Sequence, residues 1–116
     1  MFSGCRELTQ APPVLPATTL KSGCYNSMFR NCVSLAKAPD LPATTLADSC
    51  YFNMFFGCKK LNYVKALFTT ILSTGYINGW LYDVSPTGTF IKSKDATWTN
   101  TNEQVNIPSG WTVETV

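Results

Sequence analysis

The chain has 116 residues, 45% of them apolar and 13% aromatic, which is enough for the core of one domain or of part of a larger one. Nine Lys and Arg against seven Asp and Glu leave a net charge of +2, spread from Arg6 to Lys94 without a dense run, so nucleic acid is not the expected partner. Histidine is absent, which removes the usual general base near neutral pH, the usual partner of a Ser or Cys nucleophile and the commonest metal-binding side chain.

No apolar stretch approaches the roughly 18 residues needed to span a bilayer, and the start lacks the basic region and apolar run of a signal peptide. Neither membrane insertion nor a targeting signal is expected in this stretch.

From its first residue the chain repeats itself. Residues 1–27 read MFSGCRELTQAPPVLPATTLKSGCYNS, residues 28–53 MFRNCVSLAKAPDLPATTLADSCYFN, and residues 54–79 MFFGCKKLNYVKALFTTILSTGYING. A degenerate fourth start, WLYDV, follows at Trp80. Leu8, Leu35 and Leu61 share one column, Leu15, Leu41 and Leu67 a second, and Leu20, Leu46 and Leu72 a third. These columns read as stacked core, each buried Leu contributing about 1.5–3 kcal/mol. Arg6, Val33 and Lys59, like Lys21, Ala47 and Ser73, drift freely and read as solvent-facing.

The first half of each unit, CVSLAKAPDLP or CKKLNYVKALF, is too short and proline-rich for a helix and is expected to be a short strand and a turn. In the second half, Leu46, Cys50, Met54 and Cys58 recur at intervals of four beside Tyr51 and Phe55, which predicts a helix of about three turns. Thr45 with Asp48 would start it and Gly57 would end it. One strand and one helix per unit make an α/β solenoid of strand-turn-helix units, each 26–27 residues long.

Two identical LPATTL segments, Leu15–Leu20 and Leu41–Leu46, are then turns whose Thr hydroxyls cap the helix. They are not LPxTG sorting signals: Thr19 and Thr45 stand where Gly is required, and no apolar tail with a basic stop follows. From Asp83 the repeat fails. Thr87–Lys92 and Trp111–Val116 alternate like strands around a turn at Pro108, so residues 80–116 are expected to form a small β-rich cap over the C-terminal end. At the other end the chain enters inside a repeat with no polar cap. A fragment of a longer array is expected there, and the uncapped first repeat offers a route to self-association.

The pattern MFxxCxxLxxAPxLPATTLxxxCYxxMF resembles the BspA-like leucine-rich repeats of surface and secreted proteins from gut and oral bacteria, Bacteroidetes in particular. The resemblance covers residues 1–79. It implies a right-handed leucine-rich-repeat solenoid with a concave sheet face, and an extracellular role in adhesion or protein binding. On such a face Gln10, Lys37 and Tyr63 would form one solvent stripe, and Pro12, Pro39 and Lys65 the next. Tyr63 and Lys65 are where the third unit departs from the first two, and Tyr is enriched at binding hot spots. Gln10, Lys37, Tyr63 and Lys65 are therefore the candidate binding residues.

Cys5, Cys32 and Cys58 share a column, as do Cys24 and Cys50, and Val84 and Tyr76 continue the two columns. Apolar replacement favours buried free thiols over disulfides, and spacings of about twenty and eight residues are not a zinc pattern. Glu7, Asp40, Asp48 and Asp83 fall in different repeat phases, and no Gly-rich loop cradles phosphate. No catalytic, metal or cofactor role is expected. The reading is a non-enzymatic interaction or adhesion module at a bacterial cell surface or secreted from it, binding a protein or host-surface ligand. The alternative is a structural or receptor-binding part of a larger assembly such as a phage tail or fibre.

Overall fold

The computed structural model of the chain describes residues 2–15, 17–70, 77–98 and 107–116. Its organising feature is a run of tight turns in which successive N–H groups go to different places. Those of Cys24, Asn26, Met28, Arg30 and Cys32 donate to the carbonyl three residues back, at 3.1–3.2 Å. Those between them, from Gly23, Tyr25, Ser27, Phe29 and Asn31, cross to the carbonyls of Asp48, Cys50, Phe52, Met54 and Phe56 at 2.7–3.1 Å. The next unit repeats the arrangement: Asn53, Phe55 and Gly57 donate across to Asn78, Trp80 and Tyr82 at 2.9–3.1 Å.

This alternation places a left-handed residue at every fourth position. Gly23, Ser27 and Asn31 have φ of 69°, 56° and 60°; Ser49, Asn53 and Gly57 have 56°, 52° and 77°; Gly79 and Asp83 have 73° and 60°. Gly, Asn and Asp, which visit this region at the least steric cost, fill six of these eight positions, and Ser27 and Ser49 fill the other two. Neighbouring units are fitted to one another there: a Cβ on Gly57 would overlap the Asn31 Oδ1, and one on Gly79 would overlap the Asn53 Oδ1.

The helix expected over Leu46–Cys58 is therefore absent, and no α-helix occurs among the described residues. In an α-helix every interior N–H bonds within its own segment, four residues back. Here half of them bond to the next unit. Thr45 caps nothing, and Gly57 is one of the recurring turn residues rather than a helix end. The α/β leucine-rich-repeat solenoid of strand-turn-helix units is overturned with the helix. The chain folds instead into a body of 35 × 30 × 23 Å, with three parallel strands among the described residues.

The strands are β1 (Tyr63–Ala66), β2 (Gly88–Lys92) and β3 (Trp111–Thr115), in sheet order β1-β2-β3. Tyr63 pairs with Thr89 and Lys65 with Ile91, and β3 follows with Thr89 opposite Thr112 and Ile91 opposite Glu114. β2 and β3 lie in the two stretches whose alternation predicts strands. In the earlier units the strand is reduced to single parallel bridges, Val14 to Asp40, Lys37 to Tyr63 and Leu41 to Ala66. Between the last two, Ala38, Pro39 and Asp40 face only Val64 and Lys65, a one-residue bulge.

Aromatic rings stack from unit to unit along the core. Phe2 lies on Phe29 at 5.4 Å and 7°, and Phe29 on Phe55 at 5.7 Å and 4°. Tyr25 stacks on Tyr51, and Tyr51 on Trp80. Leu35, Leu41 and Leu61 are fully buried, but the bulge shifts the second leucine column in the third unit, where Ala66 and Phe68 are buried and Leu67 is only half-buried. Leu72 lies outside the described residues.

Towards the C-terminus, Trp98 packs on Phe68 and donates its Nε1–H to the Phe68 carbonyl at 3.2 Å, while the Trp111 Nε1–H donates to the Ser85 carbonyl at 2.7 Å. Both indoles bury their rings and satisfy their donors.

Candidate binding face

In β1 the side chains alternate, so that Val64 and Ala66 enter the core and Tyr63 and Lys65 face outward. Parallel, in-register pairing extends each outward position into a row. One row runs Lys37, Tyr63, Thr89 and Thr112; the other runs Lys65, Ile91 and Glu114.

Within the first row the Lys37 Nζ lies 4.9 Å from the centre of the Tyr63 ring, a cation–π contact between adjacent units. Partial burial pushes the Tyr63 phenol above its usual range, and the negative charges of Asp40 and Glu114 push it the same way. The Tyr63 ring thus faces a cation in a setting to which Asp40 and Glu114 add negative charge.

Gln10 and Lys37, both exposed, line an open cavity of about 420 Å³ with Thr9, Pro12 and Pro13. Lys65 lines a smaller one, of about 120 Å³, with Val14 and Asp40. The structure thus brings Lys37 against Tyr63 and places Gln10 beside Lys37, with Lys65 one pleat further along the same strand face. Pro39 is buried, so the stripe expected through Pro12, Pro39 and Lys65 does not form. The bulge substitutes Asp40 for Pro39 beside Lys65.

Asp40, Thr89, Ile91 and Glu114 belong to the face, and the repeat phase over residues 1–79 finds none of them. Thr89, Ile91 and Glu114 sit on strands whose alternation is visible; their pairing partners are not. For Asp40 the signal is weaker still, because nothing local in APDLP announces a bulge.

The cysteines divide. Cys32, Cys50 and Cys58 are fully buried, whereas Cys5 and Cys24 are exposed, against the expectation of five buried thiols; all are free. Burial pushes the Cys50 thiol up to about 11 and the Cys58 thiol up to about 12, so both stay protonated at neutral pH. Protonated, buried thiols are poor nucleophiles and poor ligands. Among the described residues, no group of three or more His, Cys, Asp or Glu is placed to hold a metal ion, and no helix is long and apolar enough to cross a membrane.

No family model, curated protein or solved structure matches the chain.

Proposed function

We propose that the chain is a non-enzymatic protein-interaction module of a bacterial cell-surface or secreted protein, acting in adhesion through the outward face of its sheet. The observation that carries this reading is the Lys37–Tyr63 pair, an aromatic ring pre-positioned by a neighbouring cation at the centre of a mixed-charge face. Tyr in such a setting offers contact area at low entropic cost, and the flanking Asp40, Lys65 and Glu114 set the register of a partner through complementary charge. The resemblance of the repeated pattern to bacterial surface repeats supports the extracellular setting.

The test is binding of the chain to a panel of purified extracellular-matrix proteins, followed by the Tyr63→Ala, Lys65→Ala double variant. A tenfold or greater weakening, about 1.4 kcal/mol, supports the face. No binding to any member of the panel, or binding untouched by the double variant, rejects it.

A further inference from the structure

One residue before the left-handed column of Asn31, Gly57 and Asp83 stands a column of Arg30, Phe56 and Tyr82. These side chains form a ladder on the turn stack. The Arg30 guanidinium carbon lies 5.2 Å from the Phe56 ring centre, and Phe56 stacks on Tyr82 at 5.1 Å with 19° between the planes. Tyr82 is the last ring of the ladder among the described residues. Among the described residues no second ring or cation covers it, and it is 59% exposed. It borders an open cavity of about 270 Å³ with Asp83, Ser85, Pro86, Ile107 and Pro108.

We propose that Tyr82 is the platform of a saccharide site that takes one pyranose ring of a neutral glycan. A pyranose with equatorial hydroxyls presents a face of C–H groups to an aromatic ring and directs its hydroxyls sideways, to where this site has polar groups. The Asp83 carboxylate follows Tyr82 directly in the chain, with the Lys59 Nζ 3.6 Å from its oxygen. The Ser85 Oγ accepts the Thr87 N–H at 3.4 Å and keeps its own O–H to donate. A guanidinium or ammonium ligand also stacks on Tyr. Lys59 counters that choice, since it offsets the Asp83 charge and leaves the rim without net attraction for a cation. Phe56 holds the Tyr82 ring in place before any ligand arrives, which lowers the entropic cost of binding.

The site lies on the turn run rather than on the strand face, so it stands or falls separately from the function proposed above. The experiment titrates the chain with methyl β-glucoside, methyl β-galactoside, methyl α-mannoside and methyl N-acetyl-β-glucosaminide, read by saturation-transfer NMR, with N-acetyl-arginine amide as the cationic competitor. At least one glycoside is expected to bind saturably in the millimolar range. Tyr82→Phe should retain that binding, Tyr82→Ala should weaken it about tenfold, and Tyr63→Ala should leave it unchanged. Failure of all four glycosides to bind, survival of binding in Tyr82→Ala, or tighter binding of the arginine amide would each overturn the proposal.

Discussion

The Cys58 Sγ–H donates to the Phe29 carbonyl at 2.9 Å, and one unit earlier the Cys32 Sγ–H donates to the Phe2 carbonyl at the same distance. The column of sulfur is thus a column of thiol bonds that tie each unit to the one before, as well as apolar volume. The Phe29 carbonyl also accepts the Cys32 N–H, so it is not orphaned when the thiol goes. Cys58→Val is expected to cost about 1 kcal/mol, the net worth of one hydrogen bond. Cys58→Ala should cost more, because it leaves a cavity as well. Urea denaturation of the two variants separates the two effects.

Two classes of thiol follow from the burial pattern. Cys5 and Cys24 should react with a thiol reagent in the native state, while Cys32, Cys50 and Cys58 react only as fast as the protein unfolds. A native-state titration that reaches two of the five thiols quickly and the rest on adding denaturant is the expected record.

The same burial makes the protein sensitive to alkali. The Cys50 and Cys58 thiols have folded pKa values raised above the ordinary 9.0, to about 11 and about 12. Below pH 9 neither state has lost these protons, and the stability is fully present. Above it the unfolded chain ionises first, so stability falls as pH rises through the range from about 9 to about 12. Cys58→Val should flatten this decline in denaturation midpoints recorded from about pH 8, where it has not begun, to about pH 12.

Gly88 has no room for a side chain. A Cβ there would come within 2.6 Å of the Asn62 carbonyl oxygen and 2.7 Å of the Trp111 indole. The backbone oxygen cannot swing aside, so Gly88→Ala should cost about 1–3 kcal/mol by overpacking. The loss should appear in thermal unfolding together with a changed Trp fluorescence, since the indole is the neighbour able to move.

Among the described residues, the cross-unit N–H groups of the turn runs point from an earlier unit to a later one. The run at 21–32 spends its donors on the run that follows, while its Met28 and Arg30 carbonyls accept the Phe2 and Gly4 N–H groups of the run before it.

The interval of four in Leu46, Cys50, Met54 and Cys58 is where helix and turn run look alike. A helix turns 3.6 residues at a time, so a strict interval of four drifts around it, whereas a turn run with a left-handed residue in each step keeps it constant. The distinguishing signal lies beside the apolar residues, in Gly23, Ser27, Asn31 and in Ser49, Asn53, Gly57: small or polar residues tolerant of positive φ, also at intervals of four. On the binding face, Gln10, Lys37, Tyr63 and Lys65 can be picked out from the repeat phase alone. The contribution of Asp40 and Glu114 cannot, because it depends on a bulge and on strand pairing beyond residue 79.

By itself the sequence determined that like residues recur every 26 or 27 positions, and so that Phe2, Phe29 and Phe55 would meet as a stack and Leu35 and Leu61 would share a core. Similar side chains at a fixed interval bury most surface when the units lie parallel and in register, and that preference needs no knowledge of the backbone between them. Only the tertiary structure decided what that backbone does. A segment considered alone can satisfy its N–H groups only within itself, which favours a helix. With a neighbouring unit alongside, alternate N–H groups find its carbonyls at N···O distances of 2.7–3.1 Å instead, and the turn run becomes the lower-energy answer.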